Sequence, residues 1–168
     1  MTGATEFTGR ARRVSGTIST DDILPARWKH STSDPLELAA HVFEHVRPDL
    51  APTLRPGDVL VCDGTFGIGS SREQAVSALA AAGVRALVAP AFGRILFRNA
   101  WNLALPALVV TDARPPDGAR LRIDLRAGTG TWEGGTFGFG PVSEWLLEIV
   151  GAGGLLAHLA RDRAHAPL

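Results

Sequence analysis

The sequence predicts an α/β fold with a parallel βαβ centre, additional antiparallel strands and helices at its end. Three observations carry that expectation. An apolar strand pattern at 58–62 leads into a glycine-rich stretch, Gly64 to Gly69, and then into helix formers from Ser70 or Ser71 to Ala82. Val84 to Ala89 is the next apolar run, so strand, loop, helix and strand form a right-handed crossover unit with parallel strands. After Asp117-Gly118 the pattern changes: Leu121, Ile123 and Leu125 alternate with Arg120, Arg122 and Asp124, as in a half-buried antiparallel strand.

Taken in order, residues 8–14 read as the first strand, broken at Ser15-Gly16-Thr17, and Ser19-Thr20-Asp21-Asp22 reads as a polar loop. Asp34 is placed as an N-cap, with Pro35 at the first helical position and Glu37 able to return a bond to the cap. Leu36, Ala39, Ala40, Phe43 and Val46 recur at helical spacing, which extends this helix to about His45 or Val46. Pro56-Gly57 is a turn, and Gly83 is suited to end its helix in a left-handed conformation. A second crossover helix over 92–102 leads to a strand at 107–110. Residues 131–137, broken at Gly134-Gly135, are the expected partner of the strand near 121–125, and helices over 142–150 and 155–163 follow.

The 168 residues, 45% hydrophobic and 20% charged, suit one domain spanning 1–168. Seventeen basic and seventeen acidic side chains cancel, so no net field gathers nucleic acid or a membrane surface. The N-terminal residues lack the apolar core of a signal peptide, and no run is long enough to cross a bilayer, so a cytoplasmic protein is expected. One cysteine, Cys62, rules out an intramolecular disulfide and cannot supply the thiolates of an iron–sulfur or structural zinc site.

Gly67-Ile68-Gly69-Ser70-Ser71-Arg72-Glu73 is the sharpest chemical feature. It delivers two hydroxyls and a guanidinium to a helix start after a buried strand, where unpaired N–H groups favour an anion. Arg72 adds a planar fork for a carboxylate. The segment lacks the lysine of a nucleotide-binding phosphate loop and the small residue of a dinucleotide fingerprint, and Glu73 stands where a hydrolase elbow needs glycine. Ser70 with Glu73 also spells a capping box that would serve only to start the helix. His41 and His45, with Glu44 between them, look like half of a zinc site without a third ligand and are read as an exposed charged face. Cys62, Trp101, Trp132 and Trp145 are read as core or subunit-contact residues.

The segment Gly69 to Glu73 resembles the family of 3-isopropylmalate dehydratase small subunits, related to the swivelling domain of aconitase. Thr20-Asp21 with Ile23-Leu24-Pro25, Asp34-Pro35 with Leu38-Ala39 and His41, and Pro56-Gly57-Asp58 are similar to that family in the same order. So are Phe66-Gly67, Arg94-Ile95, Arg98-Asn99-Ala100, Leu105-Pro106 and Gly153-Gly154-Leu155, so nearly the whole chain is covered. The resemblance implies a three-layer β/β/α swivelling domain of the aconitase type. It further implies a hydro-lyase that moves water between neighbouring carbons of a hydroxy-dicarboxylate, active only with a large subunit that holds a [4Fe-4S] cluster. This chain would bind no cofactor itself. By the same resemblance Ser70 takes the proton from carbon, Arg72 holds a substrate carboxylate, and Ser71, Thr20 and Asp21 line the site. Arg27, Trp28, Lys29, His30 and Ser31 fall in the loop that distinguishes substrates. Isopropylmalate is the default substrate, with methylmalate or a citrate-like acid as alternatives, and self-association of the lone chain is compatible with the resemblance. Ile68 and Ser19 depart from the family's usual cysteine and aspartate. A second reading of the same residues is a non-catalytic anion-binding or assembly module.

Overall fold

The computed structural model describes residues 5–70 and 72–165, with the side chains of Lys29 and His165 outside that description. Strand β1 (Glu6–Val14) is followed by a two-residue β2 (Ile18–Ser19), the one-turn helix α1 (Thr20–Ile23), a 3₁₀ turn at Ala26–His30, and the short helices α2 (Pro35–Ala39) and α3 (Leu50–Thr53). Next come β3 (Val59–Cys62), β4 (Thr65–Ile68), α4 (Glu73–Ala81), β5 (Ala86–Ala89), β6 (Ala91–Phe92), α5 (Arg94–Asn102) and β7 (Ala107–Val109). The last elements are β8 (Arg120–Asp124), β9 (Thr129–Trp132), β10 (Gly135–Gly138), α6 (Glu144–Ala152) and α7 (Leu155–His165).

Seven strands form one sheet in the order β10-β9-β8-β1-β3-β5-β7. Strands β1, β3, β5 and β7 run parallel, whereas β1 meets β8 antiparallel, so the expected parallel centre and its antiparallel extension are joined at β1. The residue types explain the division. Every residue of β3 and β5 is buried, as apolar runs covered on both faces must be, whereas in β8 Leu121 and Ile123 are buried between exposed Arg120 and Arg122. Gly83 ends the crossover helix at φ +93°, as its lack of a side chain predicted.

A second, three-stranded parallel sheet, β2-β4-β6, was not foreseen. Its central strand, Thr65–Ile68, occupies the glycine-rich stretch expected to be a loop. Phe66 anchors it, fully buried with ring centroids 6.3 Å from Phe43 and 6.1 Å from Phe92. Gly93 lets β4 meet the head of α5 backbone to backbone: its N–H donates to the Phe66 carbonyl at 2.9 Å, and a Cβ there would stand 2.1 Å from the Gly67 oxygen.

Other expectations are corrected in detail. The helix begun by Asp34 is capped as expected, with its carboxylate accepting from the Leu36 N–H at 2.9 Å, but the Asp34 N–H donates to Thr32 rather than to Glu37. That helix ends at Ala39 and does not reach residue 45. Phe43 lies at φ +58° with its N–H bonded to the Ile23 carbonyl, a tertiary contact that pulls Val42 and Phe43 together into the core and leaves Leu36 and Val46 exposed. The partner expected for β8 resolves into two strands, β9 and β10, paired across a turn at Glu133-Gly134.

A charged network ties the elements around β1. Arg10 binds the buried Asp58 carboxylate through Nε at 3.1 Å and Nη2 at 2.7 Å, and the buried Arg12 donates to the Thr53 carbonyl at 2.9 Å. Arg47 grips Asp117 with two bonds of 3.0 Å, which hold the Asp117 carboxyl down at about 2 despite partial burial.

Candidate functional site

The segment expected to be a polar loop at residues 19–22 is the N-terminal cap and first turn of α1, and it builds one wall of the site. Ser19 accepts from the Asp22 N–H at 3.1 Å while the Asp22 carboxylate accepts from the Ser19 N–H at 2.7 Å, a reciprocal capping box. This fixes the next residue, Thr20, whose buried hydroxyl donates to the Ser70 carbonyl at 3.0 Å. Thr20 therefore reaches across from α1 to hold the backbone of Ser70 in place.

Ser70 is exposed, and its hydroxyl has no hydrogen-bond partner among the described residues. The helix α4 begins at Glu73 with Arg72 as its N-cap residue and no side-chain cap bond. The capping reading of Ser70 with Glu73 is thereby set aside, since the hydroxyl does not serve the helix. Gly69, at φ +99°, turns the chain here, and its missing Cβ leaves the Thr20 hydroxyl in place at 3.4 Å from where that atom would sit.

Ser70 lies in a cleft of about 610 Å³ lined also by Thr20, Gly67, Ile68, Arg94, Ile95 and Arg98. Arg72, two residues on, is not part of that lining. Its side chain is 10% exposed, with Nη1 donating to the Asp21 carboxylate and to the Leu24 carbonyl at 3.3 Å. The buried Nε–H has no partner in the described structure. Asp21, itself well exposed on α1, touches the guanidinium, whereas Thr20 touches the Ser70 backbone, so these two expected site residues meet Arg72 and Ser70 directly. Ser71 lies outside the described residues.

The segment expected to distinguish substrates forms the 3₁₀ turn. Trp28 stacks on His41 with centroids 3.4 Å apart, and its indole N–H donates to Glu44 at 2.8 Å. Arg27 pairs with the same carboxylate, and the Ser31 hydroxyl donates to the Trp28 carbonyl at 2.9 Å. Although burial raises the Glu44 carboxyl, the bonds from Trp28 and His41 lower it more, and it stays below the ordinary range. His30 is exposed, and the Lys29 side chain lies outside the described residues. Arg27 and Trp28 are thus tied to the turns that follow α2 rather than to the lining of the Ser70 cleft.

The His41, Glu44 and His45 cluster is this aromatic and ionic contact. Among the described residues no three metal-ligating side chains come together. Cys62 is buried, its sulfur 3.3 Å from the Gly16 carbonyl, and burial pushes its thiol above the ordinary value. One such thiol does not fit a [4Fe-4S] cluster, which requires several thiolates. No helix among the described residues is long and apolar enough to cross a membrane. Sequence reasoning did not assign a role to Arg94 and Arg98. Their signal was present, because two arginines four residues apart share one helical face.

Residues 17–112 match the aconitase C-terminal domain family. The 3-isopropylmalate dehydratase small subunit of Nautilia profundicola is 42% identical over 153 residues, covering 89% of this chain and 92% of the relative. The methanogen homoaconitase small subunit of Methanothermobacter thermautotrophicus is 41% identical over 152 residues, with 89% and 88% covered. The crystal structure of 3-isopropylmalate dehydratase from Methanocaldococcus jannaschii superposes with a TM-score of 0.86 at 32% identity, covering 95% of this chain and 96% of that one.

Proposed function

This chain belongs to the aconitase C-terminal domain family, and from that premise we propose that it is the small subunit of a hydro-lyase of the 3-isopropylmalate dehydratase type. It works with a large subunit and interconverts 2-isopropylmalate and 3-isopropylmalate by dehydration and rehydration, a step of leucine biosynthesis. The whole chain, 1–168, acts as one swivelling domain in the cytoplasm. Since its single buried thiol cannot hold a cluster, the reading places the [4Fe-4S] cluster on the large subunit.

The observation that carries the site assignment is the free Ser70 hydroxyl in an open cleft, held by Thr20 through its backbone and unused by the helix that follows. A serine hydroxyl is far too weakly acidic to exist as alkoxide in water at neutral pH. Uncapped N–H groups at the start of α4 and the nearby Arg72 favour the anion, and exclusion of water strengthens both effects. As alkoxide, Ser70 takes the proton from substrate carbon and returns it in the reverse direction. Arg72 binds a substrate carboxylate. Its buried Nε–H has no acceptor among the described residues, and a buried donor left unpaired costs about 1–3 kcal/mol. Asp21 and the Leu24 carbonyl steady the opposite edge of the fork. Ser71 is assigned to the substrate by the family resemblance, as is the choice of substrate to the turn from Arg27 to Ser31, with Lys29 and His30, although Arg27 and Trp28 stand outside the lining of the Ser70 cleft.

The test is hydration of the unsaturated intermediate by the lone chain, by the reconstituted pair and by its variants. The lone chain is expected to be inactive. In the pair, Ser70→Ala lowers kcat by about a thousandfold with KM changed less than about threefold, and Ser71→Ala is milder. Turnover by the lone chain, or equal and small effects at both serines, overturns the reading. A second reading, a homologous hydroxy-acid substrate carrying a further carboxylate, is favoured by the similarity to the homoaconitase small subunit. Comparing kcat/KM for the two acids decides between them.

A further inference from the structure

We propose that the rim of the Ser70 cleft, formed by Arg94, Ile95 and Arg98 on α5 and by Ile68 at the end of β4, docks an acidic face of the large subunit; this rests on the small-subunit reading above. Ile95 is 48% exposed and Ile68 41% exposed, so two large apolar side chains in the lining of the same cleft as Ser70 stand partly in water. Apolar side chains beside arginines are the composition of a protein interface.

Charge narrows the partner. The chain is neutral as a whole, yet the cleft lining holds two arginines and no acid. Arg10, Arg47, Arg72, Arg122 and Arg126 each pair with a carboxylate, whereas Arg94 and Arg98 have no ion-pair or hydrogen-bond partner among the described residues. Arg94 is moreover the first residue of α5, where a cation is disfavoured and where no acid in the first turn offsets it. A positive rim on a neutral chain is complementary to aspartates or glutamates on the facing surface.

The reaction also demands a cover of protein size. A small hydroxy-dicarboxylate bound in this open cleft leaves the Ser70 hydroxyl wet, and an alkoxide is not stabilised there until water is excluded. The surface that seals Ser70 must cross the rim on which Ile68, Ile95 and the two arginines stand.

The test measures affinity of the cluster-bearing large subunit for the small subunit, and steady-state kinetics at saturating partner. Arg94→Glu with Arg98→Glu is expected to weaken the pair about tenfold or more at low salt. Raising salt from about 0.05 to about 0.5 M weakens the wild-type pair and leaves the double variant nearly unaffected. Ile95→Asp weakens the pair at both salt concentrations. With the large subunit in excess, kcat and KM of the arginine variant return to wild-type values. Unchanged affinity overturns the proposal. So does a raised KM at saturating partner, which would make the arginines ligands of the substrate. If thermal melts show that the reversal does not fold, Arg94→Gln with Arg98→Gln is measured instead and judged by the same outcomes. Ser70→Ala serves as the reference: it must bind the partner normally while losing turnover, so failure of the catalytic reading is seen separately from failure of the docking surface.

Discussion

Arg72 carries a charge almost out of water and keeps it there with one carboxylate and one carbonyl on Nη1. A lysine reaching the same place would offer a point charge in place of a fork, and could not satisfy the Asp21 side and a substrate carboxylate in fixed directions. Arg72→Lys is therefore expected to raise KM for the dicarboxylate about tenfold or more, with a smaller loss in kcat, in steady-state assays of the reconstituted pair. An unchanged KM would remove Arg72 from the substrate site. At this scale the sequence makes the Ser70 to Glu73 segment conspicuous because its residues are contiguous. It hides what supports them: Asp21 and Thr20 meet Arg72 and Ser70 across about fifty positions of chain, a distance no local pattern spans. The direction of Trp28 is hidden for the same reason, since it is set by His41 and Glu44 in the turns after α2.

Elements were legible in proportion to how far their own residues decide them. The β3, α4, β5 unit announces itself through runs of buried apolar residues and a glycine stop. Strands β2, β4 and β6 have two to four residues each and exist because they pair with one another, so periodicity cannot reveal them. The one-turn helix α1 is likewise too short for a periodic signal, although Ser19 and Asp22 carry its capping chemistry. The apolar spacing after Asp34 continues to residue 46 and so predicts a longer helix than α2, while the backbone turns at Phe43 to reach Ile23. The junction between β4 and α5 yields a prediction at this scale. Gly93 has ordinary helical-entry torsion angles, so Gly93→Ala strains nothing by conformation, but its Cβ would collide with the Gly67 carbonyl. Because the clash is with backbone, urea unfolding should show a loss of about 3 kcal/mol, the upper end of what overpacking costs. Gly16→Ala, at φ +79° with open space around it, is the control and should lose only about 1 kcal/mol. Equal losses at both positions would mean that the two backbones do not touch.

The whole molecule is held across its two sheet halves by ions as well as by apolar contact. Asp117 in the turn before β8 is gripped by Arg47, and its folded carboxyl binds a proton less readily than an unfolded one. The contribution of this pair is thus complete above the ordinary aspartate value of about 4 and is lost as pH falls toward about 2. Asp117 is partly exposed, so the effect is screened and modest. Asp117→Asn should flatten the fall in stability between about pH 4 and about pH 2 in denaturant titrations. A variant whose acid profile overlays the wild type would show that the grip on Asp117 contributes nothing to folding. The fold class and the order of most elements could be read from the sequence, because burial pattern and turn residues act locally. The joining of parallel and antiparallel halves at β1 could not, because it depends on partners at residues 59–62 and 120–124.

That placement bears on how the protein is born. Strand β1 precedes both of its sheet neighbours in the chain, so during synthesis its two backbone edges stay bare until partners forty-eight and more than a hundred residues later have been made. Until Asp58, Asp117 and Asp63 are in place, Arg10, Arg12 and Arg13 put three like charges on that bare strand, the kind of charge that disfavours edge-to-edge pairing.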